Sequence, residues 1–167
     1  MITVKEMLLA QLGTGEYLFD KFTSDLSDAE YFKLPAKNTN HIAWNLGHIA
    51  TSEDSMVAAV TGSPMKFDEK LHERFGGSSE CLDDPAQYPS RGEIDEMRRN
   101  ARANAIEQLK MFDEAKWDNP APEGWPADLF PTLGSVWALL ATHQFWHIGQ
   151  ITVCRQTLGK PRVLGAG

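Results

Sequence analysis

Two histidines near the C-terminus, His143 and His147, stand four residues apart in the stretch Thr142-His143-Gln144-Phe145-Trp146-His147-Ile148-Gly149-Gln150. On a helix this spacing places both imidazoles on one face, about one turn apart, within reach of a single ion. Neutral imidazole suits Zn, Ni and Fe(II), but two ligands make a weak site, so a third must come from another element. His48 is the best candidate, with Trp44 and His41 on its face of a helix and Asn45, Ser52 and Ser55 close to that line. Three histidines leave at least one position open for water or substrate. The plainer alternative is three core histidines bonded to backbone. Five histidines put an i,i+4 pair into roughly one random shuffle in nine, so spacing alone is a weak signal.

The neighbours of these histidines narrow the chemistry. Gln144 stands where an H-E-x-x-H protease would carry its general base, and that mechanism therefore lacks its carboxylate. Glu53 and Asp54 lie off the His48 face and are expected in solvent. Gln150, three residues beyond His147, either orients a ligand from the second shell or is a buried amide bonded to backbone. Cys154 is two turns from His147 and is expected to be a small core residue. His41 is expected to bond near the start of its helix, and His72 to sit on the surface of a connection or in a lid. Trp44, on the His48 face, is the first candidate for a pocket wall; Trp117, Trp125, Trp137, Phe145 and Trp146 are more simply core aromatics.

Four long helices must position these groups. Thr3-Val4-Lys5-Glu6 is a capping box that opens a helix from about Val4 to Ser24, in which Gly13 and Gly15 mark close packing. Ser27-Asp28-Ala29-Glu30 repeats the box before a short turn. Asn38-Thr39-Asn40 supplies caps for a second helix from about Thr39 to Val60. Residues 61–89 lose periodicity, apart from one or two helical turns over Asp68 to Arg74, and read as a long crossover joining helices at the same end. Ser90-Arg91-Gly92-Glu93 opens a third helix to about Phe112, whose charged residues form a solvated face. After a Trp- and Pro-rich segment, Thr132 starts a fourth helix to about Leu158. With no convincing strand, the chain is expected to be all-α, a four-helix bundle with one long crossover between the second and third helices.

A length of 167 residues fits a single domain spanning 1–167, and 42% hydrophobic with 23% charged residues is ordinary for a globular protein. The net charge of −7 and the lack of a basic stripe disfavour nucleic-acid binding. Cys81 and Cys154 form no CxxC motif, and no apolar run approaches a membrane span, so a cytoplasmic protein with reduced thiols is expected.

His147-Ile148-Gly149-Gln150-Ile151, preceded by His143, resembles the H-x-x-x-H-x-G-Q segment that closes the DinB/YfiT-like family. Ile42-Ala43-Trp44-Asn45-Leu46-Gly47-His48-Ile49 resembles its second-helix motif. The order of helices, the long middle connection and the Trp/Pro-rich approach to the last helix extend the likeness over nearly the whole chain. The resemblance implies a four-helix bundle, frequently a homodimer, that holds a divalent metal through His48, His143 and His147. It also implies membership among proteins that include thiol S-transferases and an isomerase dependent on low-molecular-weight thiols. A thiol S-transferase is therefore slightly favoured over a hydrolase, each acting on a small-molecule substrate; a non-catalytic metal-binding or ligand-binding module is the alternative.

Overall fold

The computed structural model describes residues 1–165; the last two residues of the expected domain lie outside them. Its helices are α1 (Val4–Thr23), α2 (Asp28–Tyr31), α3 (Ile42–Thr61), α4 (Glu69–Arg74), α5 (Arg91–Met111) and α6 (Leu133–Thr157). No strand occurs among the described residues, only a bridge between Pro120 and Thr132. No helix among them is long and apolar enough to cross a membrane.

Capping boxes at Thr3/Glu6, Ser27/Glu30 and Ser90/Glu93 start α1, α2 and α5 where the sequence places them. The start of α3 differs. Its cap is His41, whose Nδ1 accepts the Trp44 N–H at 2.9 Å. Thr39 is spent on the preceding turn, where its hydroxyl bonds both backbone groups of Ala36. His41 thus bonds near the helix start as expected, and its burial lowers its pKa to about 4.

The four long helices pack in the cyclic order α1, α6, α3, α5, so that α1 lies diagonally across from α3. Lys5 reaches the Phe112 carbonyl and Arg91 the Thr23 carbonyl, which makes α1 and α5 antiparallel. Arg155 bonds the Phe22 carbonyl, setting α6 parallel to α1, and Asn40 meets Cys154, setting α3 against α6. It follows that α3 and α5 run parallel. The crossover therefore joins opposite ends of the bundle and has to travel its length, a physical reason for its size and a correction to a same-end connection. Two apolar clusters fill the interior: one gathers Phe19, Phe22, Ile42, Leu46, Ile94 and Ile151, the other Leu8, Leu12, Val57, Leu109, Trp137 and Leu140.

Several charged residues expected in solvent are inside. Arg98 is buried against Glu16 and Asp20 of α1, and Arg102 forms a buried pair with Glu53 of α3 while donating to the Leu12 carbonyl. Glu53 and Asp54 are 2% and 3% exposed. A buried charge persists only with partners, and these side chains find them on neighbouring helices, which a single helix's pattern does not reveal. Gly15 does mark close packing, since a Cβ there would overlap the Gln144 amide, whereas a Cβ at Gly13 would meet nothing.

Candidate metal centre

The polar stripe of α3 faces α6 across the bundle, and the three predicted histidines meet there. One ring nitrogen from each of His48, His143 and His147 lies within 4.8 Å of the others. Nε2 of His147 is 3.1 Å from Nε2 of His143, and the His48 ring centroid is 5.2 Å and 4.8 Å from those of His143 and His147. The i,i+4 pair supplies two rings from α6, and the antiparallel packing of α3 brings the third.

Hydrogen bonds settle which nitrogens point inward. His48 Nδ1 is 2.7 Å from the Phe75 carbonyl, which can only accept, so Nδ1 carries the proton and Nε2 the lone pair. His147 Nδ1 is 2.8 Å from Asn45 Oδ1. The amide is oriented by its own NH2, which donates to the carbonyls of His41 at 3.0 Å and Asn40 at 3.3 Å. Oδ1 therefore accepts from His147, and the His147 lone pair also sits on Nε2. Nδ1 of His143 is buried without a partner, so a proton shared between His143 and His147 across their Nε2 contact reconciles two atoms that would otherwise present lone pairs to each other.

All three rings are held neutral. Burial, with the nearby His48 as a second cause, lowers His143 to about 4. Burial, and then the proximity of His143 and His48, lower His147 to about 3, and burial lowers His48. Convergent neutral imidazoles, two with tautomers fixed by outer partners, are a donor set that fits a divalent ion. Among the described residues, no Cys, Asp or Glu joins this group.

Trp44 stacks on His48 with centroids 4.8 Å apart and planes at 10°, and its Nε1–H donates to Ser79 Oγ at 3.1 Å. Trp44 therefore lies directly against the histidine cluster. Trp146 instead is 61% exposed, and Trp137 is core. Gln144 points away from the centre: its Nε2 donates to the carbonyls of Gln11 and Ala141. Gln150 is exposed rather than a buried amide, and its side chain acts on His147, partly opposing the effect of burial, while Asn45 and the Phe75 carbonyl hold the Nδ1 atoms of His147 and His48. Cys154 is buried, its thiol raised to about 11 by burial and placed against the Asn40 carbonyl, well suited to the core role expected of it.

A cleft of about 340 Å³ opens on the His48 side, lined by Ser52, Ser55, His72, Phe75 and Trp125. A larger cleft, about 950 Å³ between the crossover and α5, holds none of the three clustered histidines. His72 is not a free surface group, because it bonds Asp54 and Ser55 of α3. Sequence reasoning missed three parts of this arrangement. A carbonyl such as that of Phe75 has no sequence signal, since every residue carries one. Asn45 does, as a polar residue embedded in the apolar run Ile42–Ile49. Asp54 was hidden by its partners' distance along the chain.

A search of curated proteins returns no match. The fold is similar to that of a crystal structure described as the conserved protein of a locus from Enterococcus faecalis, with a TM-score of 0.74 and 16% identity over 96% of this chain and 100% of that one. The family model of the DinB superfamily matches residues 11–151, and with the ordered helices and the histidine motifs on α3 and α6 the chain belongs to the DinB superfamily.

Proposed function

We propose that the protein is a divalent-metal-dependent enzyme in which His48, His143 and His147 hold the ion and the cleft beside His48 admits a small thiol for transfer to an electrophile. The convergence of three neutral imidazoles with two Nδ1–H groups tied back is the observation that carries this reading. When bound, a divalent ion supplies Lewis acidity that favours the ionised form of a thiol or water in its open position. The chain's own part is to fix ring orientation through Asn45 and Phe75, to wall the site with Trp44, and to leave one side accessible. That open side supports an enzyme over a purely structural site, where four protein donors would close the shell. The resemblance to thiol-using family members favours thiol over water.

Elemental analysis of protein purified without nickel resin tests the ligand set. Wild type is expected to carry Zn, Ni or Fe in near-equal proportion to chain, and His48→Ala, His143→Ala and His147→Ala to lose it. Unchanged occupancy in the variants, or no metal in wild type, would sink the assignment. Turnover of a thiol and electrophile panel that survives all three changes would sink the mechanism.

A further inference from the structure

His72, on α4, faces the same cleft as His48 and has both ring nitrogens engaged by α3. Nε2 is 3.1 Å from Asp54 Oδ2, and Nδ1 is 3.3 Å from Ser55 Oγ. The Asp54 side chain is 3% exposed and that of His72 17%. The carboxylate is held from behind by the backbone N–H of Lys66, 2.9 Å from both oxygens, and of Phe67 at 3.0 Å. Being an acceptor only, it engages the Nε2–H of His72; in the neutral form of the ring the lone pair is then on Nδ1, facing the Ser55 hydroxyl, whose other contact is Met65 Sδ at 3.8 Å. Ser52, one turn before Ser55, places its Oγ 3.4 Å from His48 Nε2. Hydroxyls of α3 thus line the way from the metal ligands to His72.

We propose that His72 is the proton acceptor for a thiol entering the metal cleft, with Ser55 as the relay and Asp54 as the positioning residue. The proposal rests on the metal assignment made above. In the step, the S–H bond breaks with its electron pair left on sulfur. The proton passes to Ser55 Oγ as the Ser55 proton passes to His72 Nδ1, and the imidazolium faces the ionised Asp54. The sulfur pair then forms the bond to an electrophilic carbon. The group displaced leaves with the pair of the bond that breaks and takes up the His72 proton. Asp54 is the only charged side chain in ion-pair contact with His72 among the described residues; Ser55 meets the ring from α3 and the Phe67 ring from the crossover, while His48 and Trp125 line the cleft beyond.

The test uses the full, zinc-loaded, tag-free chain and 2-mercaptoethanol as probe, with calorimetry near neutral pH in buffers of different ionisation enthalpy. Wild type is expected to bind the thiol while releasing little proton to buffer, because His72 retains it. His72→Gln and Ser55→Ala are expected to release close to a full proton per thiol bound. Nitrogen-resolved NMR of wild type should show His72 as the Nε2–H tautomer, with Asp54→Asn shifting it toward a mixture. This second measurement stands even where a variant fails to fold. Equal proton release in wild type and His72→Gln at full zinc content, no thiol binding by zinc-loaded wild type, or an Nδ1–H tautomer in wild type would overturn this role for His72 and leave the metal assignment intact. Absence of bound zinc in wild type would instead remove the metal assignment and this proposal with it.

Discussion

Replacing Asn45 by Leu separates the support of the metal site from the support of the fold. The Asn45 side chain makes three hydrogen bonds, but their loss is unequal. The His41 carbonyl keeps its helical bond from the Asn45 backbone N–H, and the Asn40 carbonyl keeps the Cys154 thiol. Only the His147 Nδ1–H is left buried and unpaired, which costs about 1–3 kcal/mol in the metal-free protein. His147 can escape that penalty by moving its proton to Nε2, where it occupies the lone pair that would ligate. Zinc affinity is therefore expected to fall about 10–100-fold, equivalent to roughly 1.4–2.7 kcal/mol. Competition against a chromophoric chelator reads the affinity, and urea unfolding with and without zinc reads both terms. In Asn45→Leu the stabilisation by zinc should shrink by the same 1.4–2.7 kcal/mol, to about that precision. A variant that loses stability yet binds zinc as tightly as wild type would refute the idea that Asn45 sets the His147 tautomer.

The other expectations concern residues around the centre. Gln144→Glu restores the H-E-x-x-H spelling, but the side chain points at the carbonyls of Gln11 and Ala141; it should lower stability by about 3 kcal/mol or more and yield no hydrolysis of a casein substrate, and any metal-dependent peptidase activity would contradict this geometry. Removing one partner of the buried Arg102–Glu53 pair should cost about 3–5 kcal/mol in urea unfolding, with the double change Arg102→Met and Glu53→Leu recovering much of it; an additive double variant would count against the pairing. His41 is held neutral down to about pH 4, whereas in the unfolded chain an imidazole takes up its proton near pH 6.5. Between these values the unfolded state binds more protons, so stability falls as pH falls, by up to about 1.4 kcal/mol per pH unit. In chelator-treated protein, His41→Asn keeps a helix cap and should show a shallower loss over this window than wild type; identical slopes would mean that His41 does not carry this term.

The helices and the paired histidines of α6 were legible because both depend on local spacing, and His48 because of the polar stripe on its helix. Capping boxes announce α1 and α5, and the i,i+4 pair announces one face of α6. What stayed hidden depends on contacts between distant segments. Glu53 and Asp54 look solvated until Arg102 and His72 arrive from elsewhere, and Arg98 looks like part of a charged outer face until Glu16 and Asp20 meet it. Asn38-Thr39-Asn40 has the composition of a cap, yet His41 outcompetes it because an imidazole nitrogen accepts the Trp44 N–H as well as a hydroxyl would. The Gly15 packing was readable as a small residue in a helix, but the identity of its partner, Gln144, required the cyclic order of the bundle.

That order bears on how the chain is made. α6 lies between α1 and α3 and contributes Trp137 and Leu140 to one apolar cluster and Ile148 and Ile151 to the other. While the ribosome has delivered only the first three long helices, α1 and α3 face each other diagonally with no wall between them, and both interiors are open to solvent. Emergence of α6 closes both at once and brings two of the three clustered histidines with it. Completion of the hydrophobic interior and assembly of the three-histidine cluster are thus one event, and a nascent chain that lacks α6 presents His48 without its two partners.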